Sequence, residues 1–80
     1  MNHYLKRLDD APGQILAHKT AQGGIGYAVH ASNYGPVRLI AYDLEEAEHE
    51  GAECVVYVRS FLTKEKALAA YHDPKLDIED

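Results

Sequence analysis

The chain of 80 residues has one cysteine, no tryptophan, one phenylalanine and three prolines. Each shortage excludes something. A lone thiol, Cys54, cannot bridge its own chain, so the sequence does not read as a secreted scaffold stapled by disulfides, and a reducing, cytoplasmic setting is expected. Two-histidine zinc-hydrolase spacing is missing, and so are the paired cysteines of a structural zinc site, so no metal is expected. Long apolar runs are also missing. Asp9, Asp10 and Pro12 interrupt the segment that follows the cationic start, which argues against a secretory signal, and no stretch approaches a membrane span. Cations are in short supply as well: eight Lys and Arg stand against thirteen Asp and Glu, a formal charge of −5. That balance argues against a protein that neutralises a nucleic-acid backbone.

What is present is the composition of an ordinary globular protein, 46% apolar and 26% charged. A chain this short buries only roughly 60% of its unfolded surface, so a single domain over residues 1–80 is expected, with a frayed tail at 75–80. Five histidines bring the net charge toward zero as pH falls through about 6.5, which favours poorer solubility in mild acid.

Punctuation and periodicity predict an α+β fold: an antiparallel sheet of three to four strands, with a C-terminal helix packed on one face. Tyr4, Leu5 and Leu8 have helical spacing, but the His3 to Leu8 segment is short and ends in a turn signal, so it reads as irregular or as a short edge element. Gln14 to Thr20 and Ile25 to Ala31 predict a hairpin across Gln22-Gly23-Gly24, where glycine tolerates positive φ. Val37 to Tyr42 follows the turn cluster Ser32 to Pro36 as a third strand. Cys54 to Phe61, the densest β-favouring run, predicts a central strand. Between these two strands, Asp43 to Gly51 fits a short acidic helix capped by Asp43 or, alternatively, a long acidic hairpin loop. Thr63 is the expected N-cap of a helix that stops at Asp73-Pro74 and carries one apolar stripe of Ala67, Leu68, Ala70 and Tyr71.

Strand alternation suggests two differently composed faces. Val37, Leu39 and Ala41, with Ile25, Tyr27 and Val29 and with Cys54, Val56 and Val58, form an aliphatic face suited to the helix. The other face would then carry His30, Arg38, Tyr42, Tyr57 and Arg59, with His18 as a further candidate. Tyrosine and arginine are enriched in binding surfaces, because rigid aromatic area and planar guanidinium groups bind with little loss of entropy. The plain alternative is a half-covered sheet showing amphipathic side chains to water.

The acidic run Asp43, Glu45, Glu46, Glu48, Glu50 and Glu53 contains no cation and gives one end of the molecule a negative field. Such a patch mimics a row of phosphates, although most acidic runs are merely solvated. His49 lies among these carboxylates but makes at best a weak metal site. Gln22 to Gly26 is glycine-rich without the strand-to-helix context of a phosphate loop. Cys54, Ser32 and Ser60 lack a nucleophile motif, and no catalytic residue, cofactor or enzymatic activity is expected. The expectation is a small acidic protein that binds another macromolecule, whose protein partner has a basic or nucleic-acid-binding surface. One version is an inhibitor of a nucleic-acid-handling complex, in the manner of anti-defence or anti-CRISPR-like proteins that use nucleic-acid mimicry. Two alternatives stay open: a nucleic-acid or small-ligand module using the Tyr/Arg face, and a domain that self-associates, as a homodimer, through that face.

Overall fold

The computed structural model of the protein describes residues 2–49 and 54–73. Their order is α1 (His3–Asp10), β1 (Gly13–Ala21), β2 (Ile25–Ser32), β3 (Val37–Asp43), α2 (Leu44–Ala47), β4 (Val55–Phe61) and α3 (Lys64–Tyr71). The four strands form one antiparallel sheet in the order β1-β2-β3-β4. The α+β fold with its C-terminal helix is therefore the expected one. The tail at 75–80 and Gly51 lie outside the described residues.

Local chemistry accounts for several elements. Gly23 and Gly24 have φ of 83° and 76°, the left-handed backbone that the β1–β2 loop requires. Asp43 caps α2, its side chain accepting hydrogen bonds from the Glu45 and Glu46 amides at 2.9 and 3.2 Å. The helical alternative for the acidic segment is thus the one adopted. Thr63 Oγ1 accepts from the Lys66 amide at 3.1 Å and starts α3.

Two layers of helix, rather than one, cover the sheet. On one side α3 packs against β2, β3 and β4. Its Ala67 and Tyr71 join Tyr27, Val29, Val37, Leu39 and Ala41 in the larger core. Lys19 of β1 ties down the end of this helix, its Nζ donating to the Tyr71 carbonyl at 2.9 Å and lying 4.7 Å from the centre of the Tyr71 ring. A cation at a helix C-terminus meets unpaired carbonyls and the negative end of the helix dipole.

On the opposite side α1 packs against β1 and α2. The segment read as irregular is a helix, because Asn2 Oδ1 caps it by accepting from the Leu5 amide at 2.8 Å and because the sheet receives its apolar side. Leu5 enters a second core with Ala28, Tyr42, Ala47 and Cys54, and Tyr4, Leu8 and Ile15 pack around it. Eight residues do not hold a helix in water, so this packing is what α1 depends on.

The strand expected at the centre is at the edge. Among the described residues β4 pairs with β3 alone, and β2 and β3 are the interior strands. Its β-favouring composition reports the pleated backbone, not its neighbours on both sides.

Candidate partner-binding surfaces

Register decides which side chains share a face, since directly paired residues in an antiparallel sheet project to the same side. His30 pairs with Arg38, and Gly26 with Tyr42, so His30, Arg38 and Tyr42 lie on the α1 side. Tyr57 pairs with Ala41 and Arg59 with Leu39, which puts both on the α3 side. The single face expected to join His30, Arg38, Tyr42, Tyr57 and Arg59 therefore does not exist. β2 and β3 sort as expected. β4 is turned over relative to the expectation, and a shift of one residue in pairing does this to every side chain of a strand.

Nor is the α1 side open where Tyr42 lies. Tyr42 is 1% exposed; its ring stands 4.9 Å from that of Tyr4, and its hydroxyl accepts from Asn2 Nδ2 at 3.5 Å. Gly26 lies directly beneath this ring, and a β-carbon there would strike the ring atoms. A close approach of this kind needs glycine. Burial pushes the Tyr42 hydroxyl above its ordinary pKa, and it pushes Tyr4 up to about 12, with the nearby Cys54 and Tyr42 adding to the rise. His30 is buried too, with no hydrogen-bond partner at Nε2 among the described residues. Tyr42 and His30 thus belong to the interior. Arg38 and His18 are exposed on the α1 side. On the other side Tyr57 is half-buried against the larger core, and Arg59 is exposed, its guanidinium 5.2 Å from the centre of the Phe61 ring.

The acidic residues divide in role. Asp43 is half-buried and engaged as the cap of α2, whereas Glu45, Glu46 and Glu48 are exposed. Glu50 and Glu53 lie outside the described residues. Two backbone bonds, each 2.8 Å, fix the start of this turn: the Asp43 amide donates to the Cys54 carbonyl, and the Leu44 amide to that of Gly24. Ala47, 2% exposed, anchors the turn from below. The exposed carboxylates consequently stand on a backbone held by β4, by the β1–β2 loop and by the second core.

A small cleft between α1 and α2 is lined by His3, Tyr4, Arg7, Glu46, His49 and Cys54. It brings together residue types that metal and nucleophile chemistry use, but among the described residues no group of three His, Cys, Asp or Glu is placed to hold a metal ion. Burial pushes the Cys54 thiol above its ordinary pKa, which disfavours the thiolate that a nucleophile requires.

The surface that sequence reasoning missed is the outer edge of β4. Val55, Val56 and Val58 are 45%, 58% and 46% exposed, and Leu62 just beyond is 88% exposed. Its signal in the sequence is the run Val-Val-Tyr-Val, which contains no lysine or proline and suits an interior strand and an unprotected edge equally. No helix of the described residues is long and apolar enough to cross a membrane. No family profile matches the chain, and neither a curated protein nor a solved structure does.

Proposed function

We propose that this chain is a non-catalytic binding protein that uses the carboxylates of α2 to engage a basic, nucleic-acid-handling surface on another protein. The observation that carries the reading is the fixed turn: Glu45, Glu46 and Glu48 are exposed on a backbone tied to Cys54 and Gly24. Charges on a preset backbone bind with less ordering cost than the same charges on a mobile tail. Their sign and density complement a phosphate-binding site, and electrostatic complementarity chiefly sets encounter rate and partner choice. The excess of carboxylates over the whole chain extends the same field. A binding role is also favoured over catalysis by Cys54, whose buried thiol is kept protonated.

The test is affinity capture from a lysate, at low and at higher salt, with the wild type and with a Glu45→Gln/Glu46→Gln/Glu48→Gln variant. Basic nucleic-acid-handling proteins retained by the wild type at low salt are expected to be lost from the variant, with circular dichroism unchanged. Equal recovery of the same proteins by both would exclude the carboxylate turn as the contact. A stoichiometric complex with single-stranded DNA or RNA would replace the proposal with direct nucleic-acid binding.

A further inference from the structure

We infer that a second copy of this chain completes the sheet, its β4 pairing antiparallel with β4 of the first about a two-fold axis through Val58. Among the described residues the large apolar side chains left exposed are Tyr34, Val55, Val56, Val58 and Leu62, and all but Tyr34 lie on β4 or next to it. They lie on or beside a strand whose outer side has no neighbour among the described residues. Unpaired strand backbone is a template for another strand.

The two edges of the sheet are treated differently. β1 is overlaid by α1, interrupted near its middle by a bulge between Ile15 and Ala17, and carries Lys19 and the exposed His18 and Thr20. Covering helices, bulges and lysines are the usual devices that stop edge pairing. β4 has neither lysine nor proline, and its irregularity is confined to the end that meets Tyr42, leaving Tyr57 to Phe61 in regular register.

The side chains of β4 suit a copy of themselves. About Val58, within the regular stretch of the strand, the two Val58 residues meet and each Arg59 faces Tyr57 of the other copy. A guanidinium is favourably placed over a tyrosine ring, and Arg59, the one charge on β4, is kept from direct opposition to itself. Charge at the strand ends selects the same direction. β4 begins beside the carboxylate turn, through the bond from Asp43 to Cys54, and it ends just before Lys64, Glu65 and Lys66, a cluster of net positive charge. Antiparallel pairing sets the lysine end of each copy at the acidic end of the other. It also separates the two acidic turns by about the strand length, roughly 24 Å, or about three Debye lengths at physiological salt. One strand edge makes a small interface, so dissociation in the micromolar range is expected.

Sedimentation equilibrium of the isolated full chain from about 1 to 500 µM tests this, the range bracketing that dissociation constant. The wild type is expected to pass from monomer to dimer, and Val58→Lys, which sets two ammonium groups face to face at an already exposed position, to weaken the dimer at least tenfold with circular dichroism unchanged. In a Cys54→Ala background, Val58→Cys is expected to form an intermolecular disulfide under mild oxidation and Ser60→Cys, two residues from the axis and so far from its own copy, to form much less. A wild type that stays monomeric throughout overturns the inference and leaves the edge to a strand of another protein. A dimer indifferent to Val58→Lys, or one in which Val58→Cys does not crosslink, overturns it equally. Because the isolated chain is measured, failure here leaves the carboxylate-turn reading standing, and the converse holds too.

Discussion

The two faces of the sheet are covered by helices of equal length, yet they are built on different terms. The α3 side is broad: the helix reaches three strands and closes over aliphatic side chains and the rings of Tyr27 and Tyr71. The α1 side is narrower and more polar, holding a thiol, a tyrosine hydroxyl, a buried imidazole and an asparagine within the layer. Its helix packs on β1 and α2, and among the described residues no element packs on the α1 side of β4, where Val58 is exposed although its partner Ile40 is buried. The difference separates duties. The α3 side closes the larger of the two cores, while the α1 side positions the carboxylate turn and, among the described residues, leaves the outer edge of β4 unpaired.

Removing equal volume from the two cores should have unequal consequences. Leu39 is fully buried at the centre of the α3 side, and Leu39→Ala is expected to cost about 3–4 kcal/mol, from lost transfer energy and the cavity left behind. Leu5→Ala removes the same atoms but is expected to cost no more than about 2 kcal/mol, because a short terminal helix can undock and so limit the loss to its own docking energy. Urea unfolding gives both values. Amide exchange should show protection lost across β2 and β3 in the first variant and chiefly in α1 in the second. Equal global destabilisation would mean that the two faces form one cooperative core.

Alkaline pH should weaken the α1 side by a smaller amount. Tyr4 and Tyr42 both lie on the α1 side, and burial raises both hydroxyls, Tyr4 to about 12 from an ordinary value of 10. Their folded-state pKa values exceed the unfolded ones, so the unfolded chain gives up these protons first. The stability is complete below pH 10 and is lost as pH rises from 10 toward 12. Tyr4 is only partly buried, and allowing for solvent screening the loss is on the order of 1 kcal/mol. Stability measured by urea at stepped pH, alongside tyrosinate absorbance, should show it, and Tyr4→Phe should flatten the slope. An unchanged slope in that variant would place the titration elsewhere.

The same contrast explains what was legible beforehand. Gly23-Gly24, Asp43 and Thr63 act within a few residues of themselves, and the hairpin, α2 and α3 they specify are where the sequence places them. Glu45, Glu46 and Glu48 are exposed as expected, since a short charged turn has no means of burying carboxylates. Position in the sheet and pairing register are non-local, and the mistakes collect there. β4 is an edge strand, and Arg59 points away from Arg38, because neither strand order nor a one-residue offset leaves a trace in alternation alone. Tyr42 illustrates the cost for the candidate site: a tyrosine reads as an interface residue until α1, a helix sustained only by tertiary contact, is seen to lie over it.

The smallest expected effect concerns the point where that helix begins. Asn2 does two things, accepting the Leu5 amide as N-cap and donating to the Tyr42 hydroxyl at a longer 3.5 Å. Asn2→Asp keeps the acceptor, adds a negative charge at the positive end of the helix dipole and removes the donor. Asn2→Ala removes both and is expected to cost about 1 kcal/mol, mostly from the cap, since the weaker bond to Tyr42 is remade by water at a half-buried site. If capping dominates, Asn2→Asp should match or exceed the wild type in urea midpoint, and Asn2→Ala alone should show faster amide exchange in α1. If both variants lose stability equally, the tie to Tyr42 is what seats α1, and the α1 side is held by its polar contacts more than by Leu5.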